Sequence, residues 1–342
     1  MTSAAKTTRL KMKNNPIKIA ILGAGYMGQN HTRILSTLGK VNVEAICDKD
    51  IQKAEKVAKQ YKIKSYTSYQ TLLQNEQLNA ISICLPTSLH YESATVAIEK
   101  GINLFIEKPI CSTEEEAKKL INRAHIKKVA VMVGHVERFN PVINEIKQRI
   151  KSGELGKIFQ IHTQRFSPPP SRAHDVSAII DLATHDIDVI QYLLDEKPIR
   201  VYAETDNRAH RREDLMSAMM RFKNGVIGLI EVSWLHPTKI RNIRVLGENG
   251  MYVADYITQE LLFYRQNENL FNNSLSQQLS ITRSDVVKVA FQAKEPLQIE
   301  LEAFIDALIS GKKMPVTAQD GLLALEMAQK MLKSGQNHKI IK

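Results

Sequence analysis

The chain of 342 residues is long enough for two domains of about 150 residues each, and its 43% hydrophobic and 24% charged residues are ordinary globular usage, which excludes a disordered, collagen-like or coiled-coil protein. No apolar run approaches the roughly 20 residues needed to cross a bilayer, so no membrane span is expected. The net charge of +11 does not mark a nucleic-acid binder: Lys6, Arg9, Lys11, Lys13 and Lys18 concentrate five of those charges at one end, and aromatic residues, at 6%, do not interleave with a basic block to stack on bases.

Residues 1–15 read as a basic, disordered leader. They lack the apolar core of roughly 7–15 residues that a secretory signal needs, so a cytoplasmic location is expected. Cys47, Cys84 and Cys111 are odd in number and have no C-x-x-C spacing. That pattern suits a reducing compartment and three small buried hydrophobes, not disulfides or a zinc site.

From residue 17, short β-rich runs at 17–22, 41–47, 80–85, 103–106 and 129–133 alternate with segments long enough for crossover helices. Parallel strands need such crossovers, and their right-handedness gives a doubly wound sheet with its ligand crevice at the strands' carboxyl ends. After residue 140 the pattern changes. A helix at 142–152, a strand at 157–166, the Pro168-Pro169-Pro170 loop and a helix at 177–194 come first. Strands at 200–205, 215–222, 226–234, 241–246 and 250–255 follow at close spacing, with turns such as Lys223-Asn224-Gly225 that mark antiparallel pairing. Helices at 297–310 and 318–334 close the chain.

The expectation is an α/β protein in two parts: a Rossmann dinucleotide-binding domain over residues 16–137, and an α/β domain with a largely antiparallel open sheet over residues 138–342. The second domain is expected to bind substrate and, because one face of its sheet needs a cover, to form a homodimer or homotetramer. The polar stretch 267–278 reads as a loop with no assigned role.

The strongest local motif is Gly23-Ala24-Gly25-Tyr26-Met27-Gly28, which follows the first strand and opens a helix. Gly23 permits a tight turn, Gly25 lets backbone approach a pyrophosphate, and Gly28 lets helix and strand pack closely, while the helix N-terminus offers N–H groups and partial positive charge. Tyr26 and Met27 begin that helix and are expected to touch the cofactor. Asp48 stands 20 residues beyond Gly28, after the second strand, where a carboxylate binds adenosine ribose hydroxyls and repels a 2′-phosphate. NAD is therefore expected over NADP, with Lys49 the one feature that leaves NADP open.

Two further segments fall on the crevice rim. Leu85, Pro86, Thr87 and His90 follow the third run as cofactor contacts, with Thr87 and Ser88 also able to cap a helix. Glu107-Lys108-Pro109 ends the fourth run, with Glu107 and Lys108 as further cofactor contacts, and places a lysine ammonium where it can hydrogen-bond a hydroxyl turning into a carbonyl. A surface ion pair is the plainer alternative for Glu107 and Lys108.

In the second domain, Asp181 and His185 are four residues apart on a predicted helix, so the carboxylate can orient the imidazole and raise its basicity. His185 is thus a candidate base, with a structural histidine beside capping aspartates as the alternative. A metal site from His185, Asp186 and Asp188 is disfavoured because their side chains diverge around the helix, and no metal is expected. Arg165, Arg172 and His174 flank the proline loop and are candidates for holding a diphosphate, with a solvated basic loop as the alternative, and Arg138 is a further substrate-binding candidate.

Taken in order, the glycine loop, Glu107-Lys108-Pro109 and the segment from Asp181 to His185 resemble the Gfo/Idh/MocA oxidoreductase family across nearly the whole chain. The resemblance implies NAD-dependent oxidation of a CH-OH group, with Lys108, Asp181 and His185 as the catalytic group. A narrower likeness rests on residues 134–141 (GHVERFNP) and 180–188 (IDLATHDID). It is to the branch of that family that oxidises the C3 hydroxyl of UDP-N-acetylglucosamine to a ketone, which implies a nucleotide-sugar substrate and a pathway aminotransferase as partner. Another UDP-sugar, an inositol, a free sugar, an NAD-using glycosidase of the same fold and a non-catalytic NAD sensor stand as alternatives.

Overall fold

The computed structural model describes residues 15–169, 177–266 and 285–342. Residues 1–14 of the leader, Arg172, His174 and the 267–278 loop lie outside the described residues. The helices, in chain order, are α1 (Tyr26–Leu35), α2 (Ile51–Tyr61), α3 (Tyr69–Asn75), α4 (His90–Glu99), α5 (Glu114–Lys127), α6 (Pro141–Lys151), α7 (Thr184–Leu194), α8 (Pro296–Ser310) and α9 (Ala318–Asn337). The chain divides into two compact units.

The first unit is built on β1 (Ile17–Leu22), β2 (Val41–Cys47), β3 (Lys64–Tyr66), β4 (Ala80–Ile83), β5 (Asn103–Glu107) and β6 (Val131–Gly134). They form one sheet in the order β3-β2-β1-β4-β5-β6, parallel throughout. Helices on both sides bury its faces, so β1 and β4 read as near-continuous apolar runs in which only Lys18 is exposed. The winding reverses between β1 and β4. That switch point lies beside the turn into α1 and is where doubly wound sheets bind ligands. β3 was not expected: it is three residues long, and its polar Lys64-Ser65-Tyr66 carries no apolar pattern.

The first unit also takes in Leu297–Leu325, that is, α8 and the start of α9. The single division expected after residue 137 is thus replaced by a division after His135 and a return of the chain near its end. The physical reason is apolar. Phe304 of α8 is fully buried and meets Phe105 of β5 edge to face at 5.5 Å between ring centres. Thr317 bridges to Met132 of β6, and Gly321 of α9 lies so close to Val133 that an added Cβ would meet its methyl at 2.8 Å.

The second unit comprises Val136–Pro296 and Glu326–Lys342. Its strands are β7 (Ile158–Phe166), β8 (Pro198–Asp206), β9 (Leu215–Phe222), β10 (Ile227–Ser233), β11 (Ile240–Gly247), β12 (Gly250–Asp255), β13 (Glu260–Arg265) and β14 (Val286–Lys288), in the order β14-β13-β12-β11-β7-β10-β9-β8. Every ladder is antiparallel except β7 with β10. The alternation along β9, with Met216, Ala218, Met220 and Phe222 buried between more exposed residues, is that of a sheet covered on one face. The other face shows Tyr202 beside Met219, its register partner, both exposed.

The helix expected over residues 177–194 is a π turn at Ile179–Ala183 running into α7. A π turn closes its bonds one residue later than an α turn. The Thr184 hydroxyl donates to the Ile180 carbonyl at 2.9 Å, and the Asp181 amide donates to the Ser177 carbonyl at 3.0 Å.

Replacing Phe304 with alanine is expected to destabilise the first unit by about 3–5 kcal/mol, the usual cost of emptying a buried aromatic site. Urea unfolding followed by tryptophan-independent circular dichroism measures it; a loss below about 1 kcal/mol would mean that α8 is not part of that core.

Candidate active site

The glycine loop has the shape a dinucleotide requires. Gly23 sits at φ +101°, and a Cβ there would meet the Cys84 carbonyl oxygen at 2.5 Å. A Cβ on Gly28 would stand 1.8 Å from the Gly23 carbonyl oxygen, so α1 can approach β1 this closely only with glycine at that position. Gly25 is the N-cap of α1 and supplies no side-chain cap, which leaves the helix start to the backbone. Tyr26 is exposed and Met27 half-buried at the same place.

Asp48 is held rigidly. Its Oδ2 accepts from the Ala24 amide inside the glycine loop at 2.7 Å, and its Oδ1 accepts from the Asp50 amide at 3.0 Å. A carboxylate has about four lone-pair sites, so two anchoring bonds still leave acceptors for a ribose diol. These residues fit NAD: a sterically enforced glycine turn, an uncapped helix start and an oriented acceptor one strand away.

Below the loop lies a buried polar chain that sequence reasoning missed. His31 of α1 is fully buried, with Nδ1 2.7 Å from Ser82 Oγ and Nε2 3.0 Å from Glu107 Oε1. Burial works against the charged ring, but the Cys84 sulfur and the Glu107 carboxylate beside it prevail and raise the His31 pKa to about 10. Glu107 therefore faces inward, and its Oε2 accepts from the Lys108 amide at 3.3 Å. It positions the Lys108 backbone and does not line the crevice, which corrects its expected cofactor contact. The signal was present: a histidine three residues after Gly28, and a lone serine inside the apolar run of β4.

His90 is corrected in the same sense. It is buried, with Nδ1 2.9 Å from the Pro109 carbonyl and Nε2 2.8 Å from the Leu85 carbonyl. Both ring nitrogens are occupied by backbone, so His90 ties the loop after β4 to the loop after β5 instead of reaching a cofactor. Burial holds its pKa below the ordinary histidine value. Leu85 and Thr87 are half-buried and Pro86 is exposed, at the rim where they were expected. Neither Thr87 nor Ser88 caps α4, which starts without a side-chain cap. Lys108 is half-buried, and the bond to Pro109 is cis. Cys47 and Cys111 are buried, as expected, and their thiols are pushed up to about 12 by that burial; Cys84 is only partly buried.

In the second unit, Asp181 lies in the π turn and His185 in the first turn of α7, both half-buried. The arginines expected to hold substrate are committed elsewhere. Arg165, 1% exposed, donates through Nε to Asp186 Oδ2 at 2.8 Å and through Nη1 to Glu137 Oε1 at 2.9 Å. Burial opposes its charge, but Asp186 and Glu137 more than compensate, so it stays a cation. Arg138 grips Asp188 with two bonds, Nε at 2.8 Å and Nη2 at 2.6 Å. Both expectations of substrate contact are therefore replaced by internal ion pairing. Asn140 completes the cluster by donating to Glu137 Oε2 and to the Tyr256 carbonyl, each at 3.2 Å.

Residues 17–135 match the model of an oxidoreductase family's NAD-binding Rossmann fold, and residues 147–342 match the same family's C-terminal α/β domain. The chain belongs to the Gfo/Idh/MocA oxidoreductase family. It is an NAD-binding enzyme of the class that oxidises CH-OH groups. Among its relatives is a UDP-N-acetylglucosamine 3-dehydrogenase of Acidithiobacillus ferrooxidans, 25% identical over 292 residues, covering 85% of this chain and 88% of that one. The solved structure of that enzyme superposes with a TM-score of 0.82 at 23% identity, over 94% of this chain and 98% of the other. A scyllo-inositol 2-dehydrogenase (NAD(+)) of Bacillus subtilis is 26% identical over 329 residues, covering 91% and 92%. A levoglucosan dehydrogenase solved with NADH shares the fold at a TM-score of 0.85 and 19% identity, covering 96% and 99%.

The raised His31 pKa gives a testable sign. A histidine whose folded-state pKa lies above its unfolded value of 6.5 contributes stability that is fully present below pH 6.5 and is lost as pH climbs through about 10. Urea unfolding at about pH 7 and about pH 10 is expected to show a larger drop for the wild type than for His31→Gln. Equal drops would mean that His31 is not held as a cation in the folded protein.

Proposed function

We propose that this chain oxidises the C3 hydroxyl of UDP-N-acetylglucosamine to the 3-keto sugar, using NAD. One observation carries the reading. The two stretches on which the likeness to UDP-N-acetylglucosamine 3-dehydrogenases rests are joined by ion pairs, Arg138 to Asp188 and Glu137 through Arg165 to Asp186, so both act as one support for the turn bearing Asp181 and His185. The relative from Acidithiobacillus ferrooxidans supports the same substrate.

In this reading Gly23, Gly25, Tyr26, Met27 and Gly28 receive the pyrophosphate, Asp48 the adenosine ribose, and Leu85, Pro86 and Thr87 the rim of the cofactor. Bound there, NAD supplies the hydride acceptor. His185 takes the proton of the C3 hydroxyl, Asp181 orients the imidazole, and the Lys108 ammonium donates to the same oxygen and stabilises it as it becomes a carbonyl. Proton removal by Lys108 is the other assignment. The 3-keto product is the substrate an aminotransferase needs, which makes such an enzyme the expected pathway partner. The chain is expected to work as a homodimer or homotetramer through the open face of its second sheet; elution at monomer mass would contradict this.

Absorbance at 340 nm with protein, NAD and UDP-N-acetylglucosamine, coupled to glutamate and an aminotransferase, is expected to show NADH formed only when the nucleotide sugar is present. His185→Ala and Lys108→Ala are each expected to lose about 10²–10⁴-fold in turnover with NAD affinity unchanged. NADH formed instead from an inositol or a free sugar would replace the proposed substrate, in the direction of the scyllo-inositol relative.

A further inference from the structure

With Arg165 and Arg138 committed to carboxylates, the second unit needs another cation if its substrate is anionic. We propose that Arg241 binds the diphosphate of the nucleotide sugar, an inference that rests on the substrate reading above. Arg241 is the second residue of β11 and the register partner of Arg165 on β7, so the two lie side by side. Their situations differ. Arg165 is matched by two carboxylates at hydrogen-bond distance, whereas the nearest carboxylate oxygen to Arg241 is Glu137 Oε1 at 3.9 Å, and that oxygen already accepts from Arg165.

Arg241 Nε is buried and has no hydrogen-bond partner among the described residues, yet 35% of the side chain is exposed. A buried donor left unmade is costly and calls for an explanation. Its guanidinium offers five donors in a planar fork, the geometry that suits phosphate oxygens. Burial, and then the charge of Arg165, hold the Arg241 pKa below the ordinary arginine value against the pull of Glu137, Asp186 and Asp181. A second buried donor in the same cluster, Tyr256 Oη beside Arg165, also has no partner among the described residues.

Position agrees with chemistry. Asp181 is near enough for its charge to act on Arg241, so this cation stands by the candidate catalytic turn. In a nucleotide sugar the diphosphate is attached at C1 and the reacting carbon is C3 of the same ring. An anion-binding group must therefore lie within one sugar ring of the chemistry. A neutral inositol would leave Arg241 unmatched, so the residue also discriminates between the two substrate classes.

The test uses the full-length protein saturated with NAD, so that the glycine loop is already filled, and measures UDP, pyrophosphate and uridine by calorimetry. Arg241→Gln is expected to weaken UDP and pyrophosphate at least about tenfold, raise KM for UDP-N-acetylglucosamine similarly, and leave NAD and uridine affinities unchanged. Arg241→Lys, which keeps the charge but not the fork, is expected to show a smaller loss and serves if the glutamine variant does not fold. Wild-type affinity for UDP and pyrophosphate in either folded variant would overturn the proposal. Arg241-dependent pyrophosphate binding without turnover of UDP-N-acetylglucosamine would keep the anion site and remove the substrate reading alone.

Discussion

A guanidinium with no route to water must be matched where it lies, and the second unit is organised around that requirement at Arg165. Breaking a buried ion pair by removing one partner typically costs about 3–5 kcal/mol, because the other charge is stranded, although the intact pair contributes little net stability. The constraint is thus one of arrangement more than of energy. Asp186 on α7 and Glu137 ahead of α6 have to face β7, and Asn140 has to turn toward Glu137. Once they do, the π turn at Ile179–Ala183 is fixed at one end by α7, and the candidate base on that helix inherits its direction.

The first unit uses a comparable device on a smaller scale. His31 joins α1 to β4 and β5 through Ser82 and Glu107, and His90 joins the two loops that follow those strands. Each histidine has both nitrogens occupied, so neither is free for chemistry. What they supply is preorganisation: the backbone of Lys108 and the rim at Leu85 are held before any ligand arrives, which lowers the ordering cost of binding.

Much of this was legible in the sequence. The limits of β1, β2, β9 and β12 coincide with the runs read from apolar pattern and turn residues, because each of those strands buries most of at least one face. The glycine loop and Asp48 were readable because their spacing is dictated by backbone geometry. β14, whose three residues are all exposed, has no burial pattern to read, and β13 follows a turn with no glycine or proline to announce it. The arginines were misread for a different reason. Charge on a loop-flanking strand resembles a ligand site until the partner is known, and the partners of Arg165 and Arg138 lie 21 to 50 residues away in sequence. Arg241 escaped notice because its distinction is an Nε with no hydrogen-bond partner among the described residues, which no single sequence records.

The return of Leu297–Leu325 to the first unit bears on how the chain is made. Synthesis runs from the N-terminus, and domains generally fold as they emerge. Here Phe105 and Val133, on β5 and the edge strand β6 of the nucleotide-binding sheet, receive their cover from residues translated almost two hundred positions later. The six-stranded sheet therefore leaves the ribosome with an uncovered apolar strip, and it stays incomplete until nearly the last helix has been made.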